Sequence, residues 1–194
     1  MDESEIDVYV HGKYGFLKDG RPVYPGYNDA IHCKDIEYQP GLPVYRGWDF
    51  GLTPAVAFSQ ILPNGQWNTF RELVADNVFI DEFSDQVVIE SAQHMPGATF
   101  VDIGDPAGKQ RHAAIKVDTD EKSCFDILHA KGIMIEPGIQ DLVTRLESVR
   151  KALRTMVGGG KPQLIIHSRC KTLRKGYQGQ YKYKSIKIAG AQER

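Results

Sequence analysis

Between residues 44 and 75 three apolar-aromatic runs are separated by two tight turns, and that block dictates the sheet this chain can build. PVYRGWDFG and TPAVAFSQILPNGQWNTFRELVAD read as strands at about 44–50, 55–62 and 66–75. Pro63-Asn64-Gly65 is a hairpin signal between the second and third. Pro54 is tolerated because it opens the second strand. Strands joined this tightly must run antiparallel.

After residue 75 the periodicity changes. IDEFSDQVVIESAQHM places Phe83, Val87 and Ser91 four apart, with acids in its first turn, and predicts a helix ended by Pro96-Gly97. ATFVDIGDPAG predicts a buried strand running into a Gly/Pro loop. TDEKSCFDILHAKG predicts a second helix, with Thr119 as N-cap and Gly132 as its stop. IMIEPG reads as a short strand, and residues 139–160 as a third helix with Leu142, Leu146, Val149, Leu153 and Val157 on one face. KPQLIIHS gives a further strand, and QYKYKSIKI an alternating basic one. A meander followed by alternating helix and strand is an α/β pattern with a mixed sheet. The strand reached through the first helical crossover should lie parallel beside the first strand, which brings the ends of those two strands together. Residues 1–43, rich in Gly, Pro, Tyr and Asp, read as an irregular arm or linker remnant, with a hairpin at KDGRPVY, ahead of a domain at 44–194.

Composition excludes several classes. With 41% hydrophobic and 25% charged residues the chain can build a core, and extended disorder is not expected. No stretch reaches the ~20 apolar residues of a membrane helix. The acidic start MDESEIDVYV lacks the layout of a secretion signal. Cys33, Cys124 and Cys170 form no CxxC pair, which argues against a disulfide framework or a cysteine zinc site and suits a reducing cytosol. The net charge of −1 conceals a polarity. Residues 148–192 carry basic side chains from Arg150 to Lys187 and no acid, interleaved with Tyr177, Tyr181 and Tyr183. A solvated basic face is the plain reading; the length of the run and its tyrosines favour a polyanion, with bases stacked on the rings.

Chemistry is expected at the acids. Asp49 lies in an apolar first strand, where a carboxylate needs a cation, a hydrogen-bond network or a metal. Asp102 and Asp105 lie in and just after the fourth strand, at the edge where open α/β sheets form their sites. Taken singly, each also reads as a turn or salt-bridged residue. Together on neighbouring strand ends they offer hard oxygen ligands to a divalent cation that keeps places open for phosphate. Two such ions can cleave a phosphodiester, with the basic half holding the backbone. Asp118, Asp120 and Glu121 read first as helix-capping residues, Glu72 as an exposed strand residue, and His167 as a hydrogen-bonded structural residue.

RGWDFGLTPAVAFSQ, FVDIGDPAGKQR, TDEKSCFDIL and CKTLRKGYQGQYKYK, in that order, resemble the nuclease domain of tailed-phage terminase large subunits. RPVYPGYNDAIH resembles the segment leading into that domain, so the likeness runs from about residue 20 to the C-terminus. The resemblance implies a ribonuclease H-like fold: three antiparallel meander strands, then parallel strands, with helices on both faces. It implies a metal-dependent endonuclease that cuts double-stranded DNA during genome packaging with Mg²⁺ or Mn²⁺, two ions being expected. The family's first-strand acid aligns with Asp49, and the acid after its fourth strand with Asp105, with Asp102 as the alternative. Arg169, Lys171, Arg174, Lys175, Lys182 and Lys184 are the expected phosphate contacts. Implied partners are double-stranded DNA, an ATPase motor domain, a small terminase subunit and a portal protein, in the cytoplasm of a bacterial host and with no membrane. Two departures stand out. The family's third acid, in a His-x-x-Asp-Ala-Leu-like helix, is expected beyond residue 194. No GxxxxGK[ST] phosphate loop occurs, and GGGKP at 158–162 follows a helix rather than a strand. A DNA-gripping or docking module of a packaging motor, and a junction resolvase or integrase-like enzyme on the same fold, are the rival readings.

Overall fold

The meander pairs as its turns require. In the computed structural model, which describes residues 20–110 and 122–183, β1 (Val44–Asp49), β2 (Ala55–Ile61) and β3 (Trp67–Val74) are antiparallel neighbours. Gly65 closes the β2–β3 turn at φ +84°, a left-handed conformation that glycine takes without strain. A β-bulge between Phe58 and Ser59 shifts the register of β3, and Phe70 joins the core.

Helix α2 (Ile80–His94) carries the chain across the sheet to β4 (Phe100–Gly104), which lies parallel beside β1. The one-turn helix α1 (Asp29–His32) precedes the sheet. Helix α3 (Cys124–Ala130) leads to β5 (Ile135–Pro137), and α4 (Leu142–Arg154) to the hairpin β6 (Met156–Val157) and β7 (Lys161–Pro162). β8 (Leu164–Ile166) returns parallel to β3, and α5 (Lys171–Lys175) follows. The six-stranded sheet has the order β5-β4-β1-β2-β3-β8. This is the expected mixed α/β sheet with helices on both faces.

Each face has its own core. Val44, Trp48, Val56 and Phe58 pack against Phe83 and Val87 of α2 and Phe125 and Leu128 of α3. Phe83 and Val87 are fully buried, each contributing about 1.5–3 kcal/mol of transfer free energy. A second cluster joins Leu153 of α4, Leu164, Ile166, Cys170 and Tyr27. The described part of the N-terminal arm is tied here. Cys33 bridges Ile166, and a ring nitrogen of the buried His32 lies 3.0 Å from the Leu153 carbonyl. Pro22 of the expected KDGRPVY hairpin pairs with Lys182, and Lys18 and Asp19 of that segment lie outside the described residues.

Four local expectations are corrected. Helix α3 starts at Cys124, capped by Ser123 in a reciprocal box with Asp126, so Thr119, outside the described residues, is not its N-cap. Helix α4 spans 142–154 rather than 139–160, because Gly159 and Gly160 take positive φ and turn the chain into the β6–β7 hairpin. KPQLIIHS is split between β7 and β8. In the expected basic strand, Gln180 ends a helical turn and Lys182 makes a single bridge to Pro22, while 184–188 lie outside the described residues.

Candidate metal centre

Parallel pairing brings two carboxylates to one edge. Trp48 of β1 is in register with Gly104 of β4, and the Asp105 N–H donates to the Trp48 carbonyl at 3.2 Å. Asp49 and Asp105 are thus the next residues along adjacent strands, whose backbones run about 4.8 Å apart. Trp48 is buried among the α2 and α3 residues, so alternation turns the exposed Asp49 to the α4 face. Asp105, at the end of β4, is contacted from α4 by Arg145.

The loop after β4 sets the Asp105 carboxylate. Oδ1 accepts the Ala107 N–H at 2.9 Å and caps the 3₁₀ turn Pro106–Lys109. Oδ2 accepts Nη1 of Arg145 at 2.9 Å. The Ala107 amide first, and Arg145 second, hold this carboxyl below the usual range. Asp49 has no polar partner among the described residues.

Two glycines make room for this loop. A Cβ on Gly108 would fall 2.4 Å from the Phe50 ring, and one on Gly104 2.8 Å from it. Phe50, next to Asp49, lies wedged between them and packs on Phe125 with centroids 5.8 Å apart. Beside it opens a cavity of about 420 Å³ lined by Leu52, Phe79, Asp105 and Cys124, among others.

Asp102 is on the other face. It is buried, and it takes a bidentate contact from Arg46, Nε to Oδ1 at 2.6 Å and Nη2 to Oδ2 at 2.7 Å. Trp48 Nε1 donates to Oδ1 at 2.7 Å. Both oxygens are engaged, and Asp102 does not join Asp49 and Asp105. Glu72 accepts the Thr172 and Leu173 amides at 2.7 and 2.8 Å. It serves as the anionic N-terminal partner that α5 lacks in its own sequence.

The expected phosphate-binding cations divide. Arg169 donates to Glu37 at 2.8 Å, and Arg174 makes a two-point contact with Asp29 at 2.5 and 3.0 Å. That pairing raises the Arg174 pKa and lowers that of Asp29. Lys171 and Lys175 are exposed at the two ends of α5. Lys182 bridges Pro22, and Lys184 lies outside the described residues. Tyr177 stacks on Tyr24 with centroids 4.9 Å apart, while Tyr183 accepts a hydrogen bond from Arg150 at 2.6 Å and remains half exposed with Tyr181. His167 ends β8 among Asp35, Glu37 and Arg169, and burial lowers its pKa.

Arg145 escaped the sequence reading. Its signal was available: a cation in the first turn of a helix opposes the helix dipole and calls for a reason.

No family sequence model matches the chain, and no curated protein does. Solved structures do. The large terminase of a thermophilic bacteriophage matches at TM-score 0.62 and 19% identity, over 84% of this chain and 38% of that one. That terminase has also been solved with ADP. The nuclease domain of the P22 large terminase matches at TM-score 0.59 and 9% identity, over 86% of this chain and 84% of that domain. The SPP1 large terminase nuclease domain with bound Mn matches at TM-score 0.53 and 15% identity, over 81% of each chain. The chain therefore has the ribonuclease H-like fold of terminase large-subunit nuclease domains. It spans about 38% of the thermophilic phage's large terminase.

Proposed function

We propose that this chain is a divalent-metal-dependent endonuclease that cuts double-stranded DNA during phage genome packaging. The observation that supports the reading is that Asp49 and Asp105 directly follow Trp48 and Gly104, which are in register on adjacent parallel strands of a fold shared with terminase nuclease domains. The donor chemistry fits a hard cation. Two carboxylates offer oxygen ligands only, and a positive group already stands at Asp105 Oδ2 in the form of Arg145. Mn bound to the SPP1 nuclease domain supports Mg²⁺ or Mn²⁺ as the cofactor; two ions are proposed from the chemistry of phosphodiester cleavage.

Asp49 and Asp105 hold the metal, which when bound supplies an activated water and charge stabilisation at phosphorus. The Ala107 amide and the wedged Phe50 keep the Asp105 loop from collapsing, so the acid is preorganised. Asp102 supports the site from the opposite face by fixing Arg46 and Trp48, and it belongs outside the ligand set. Lys171, Lys175, Lys182 and Lys184 hold the DNA backbone, while Arg169 and Arg174 act through Glu37 and Asp29 to shape that surface. The rest of the terminase is proposed by analogy: residues 44–194 as the nuclease unit, a partner ATPase motor, a small subunit, a portal, and the host cytoplasm. Among the described residues no helix is long and apolar enough to cross a membrane.

A DNA-docking module without catalysis is the second reading. It is favoured by one fact: no group of three His, Cys, Asp or Glu suited to a metal forms among the described residues. Plasmid nicking in Mn²⁺, Mg²⁺ and EDTA, with wild type and Asp49→Ala, separates the two. Metal-dependent nicking lost in Asp49→Ala supports the nuclease; binding without nicking in any metal refutes it.

A further inference from the structure

We propose that Arg145 is a catalytic residue whose guanidinium binds the phosphate being cut, from the Asp105 side of the site. The inference rests on the nuclease reading and adds a residue to it.

Three observations point at Arg145. It closes the first turn of α4, where the helix dipole disfavours a cation and the carboxylates of the N-cap Asp141 and of Asp105 offset that cost. The one hydrogen bond described for its guanidinium runs from Nη1 to Asp105 Oδ2. Its Nε is buried and has no hydrogen-bond partner among the described residues. A guanidinium is a planar fork of five N–H donors, and neutralising a carboxylate does not require one. A buried donor left unpaired is a cost that a ligand oxygen removes once the guanidinium, on a side chain 39% exposed, turns that edge outward. The ligand that matches two neighbouring guanidinium N–H groups beside a pair of metal-binding acids is a phosphodiester.

Arg145 thus has two partners in turn. Without metal or DNA its charge offsets Asp105. With DNA bound, its unused donors face the non-bridging phosphate oxygens. Hydrolysis adds one water across one P–O bond: the water oxygen bonds to phosphorus, the ester oxygen leaves, and a water proton ends on it. Arg145 neither gains nor loses a proton; it stabilises charge that builds on the non-bridging oxygens as the bond breaks.

The full chain is compared as wild type, Arg145→Ala, Arg145→Lys and Asp49→Ala. Duplex-DNA affinity is measured against salt in Ca²⁺, Mn²⁺ binding by calorimetry without DNA, and single-turnover cleavage in Mn²⁺. Arg145→Ala should bind Mn²⁺ at least as tightly as wild type, because a competing cation is gone. Its log–log salt slope should be shallower by ~0.9, one phosphate contact. Its cleavage rate should fall by ~10²–10³, the usual cost of one preorganised donor. Arg145→Lys should regain the slope and not the rate. Wild-type slope and rate in Arg145→Ala would overturn the proposal and leave Arg145 as a neutraliser of Asp105. Lost Mn²⁺ binding would overturn it in favour of structural support, and full rescue by lysine would overturn the bidentate contact. If wild type fails to cut and yet Arg145→Ala flattens the slope, the nuclease reading falls and the phosphate contact stands.

Discussion

Replacing Asp102 with alanine should destabilise the protein severely without touching the metal-binding edge. Arg46 and Asp102 are each about 5% exposed, and the carboxylate accepts three hydrogen bonds, two from Arg46 and one from Trp48. Removing it strands a buried guanidinium and an indole N–H. What remains for Arg46 is the Ser91 hydroxyl at 3.2 Å and the Phe100 ring, 4.2 Å from the guanidinium carbon. Breaking a buried pair from one side costs about 3–5 kcal/mol. At ~2–4 °C per kcal/mol for a chain of this size, the melting temperature should fall by ~6–20 °C. Urea unfolding followed by tryptophan fluorescence measures the loss directly. The double variant Arg46→Met with Asp102→Leu should recover most of it, since no buried charge is left unpaired. A loss below ~1 kcal/mol, with cleavage abolished at a temperature where the variant is folded, would refute this reasoning. Asp102 would then be a metal ligand rather than a structural acid.

Gly108→Ala should cost ~1–3 kcal/mol and impair cleavage, because its Cβ would meet the Phe50 ring 2.4 Å away and push the Asp105 loop. Adding Phe50→Leu should restore part of both, read by melting and nicking. The depressed Asp105 pKa means its carboxylate stabilises the fold above the unfolded value of ~3.9, and that contribution is lost as pH falls through the lower folded value. In EDTA, the melting gap between wild type and Asp105→Asn should therefore close as pH drops below ~4; a constant gap would contradict it. Replacing Lys171 and Lys175 together with alanine should flatten the salt dependence of duplex binding by up to ~2 log–log units, equally for all sequences. An unchanged slope would move the DNA path away from α5.

Much of the sheet was legible in the chain. The Pro63-Asn64-Gly65 turn and the apolar alternation around it specify an antiparallel meander, and a helical crossover obliges β4 to run parallel. That is why the juxtaposition of the β1 and β4 ends follows from order alone. Boundaries that depend on competing local signals were harder. Thr119 and Ser123 are both good caps, and only Ser123 stands three residues before an acid that closes a box, Asp126. Likewise, nothing in KALRTMVGGGKP announces that Thr155 should leave the helix, until three glycines let the chain fold back as β6 and β7.

Fold class and the strand order around β1 could be read from the chain, because they follow from periodicity, turn chemistry and crossover handedness. Partnership was decided only by tertiary structure. Asp102 and Asp105 are three residues apart and look equivalent as text, yet one faces Arg46 and the other faces α4. Arg169 and Arg174 read as free cations until the arm brings Glu37 and Asp29 to them. Arg145 acquires meaning only when α4 lays it against a strand end forty residues away in the chain. Charge and hydrogen-bond pairing act over a few ångströms in space, and that separation is invisible in sequence until the chain is packed.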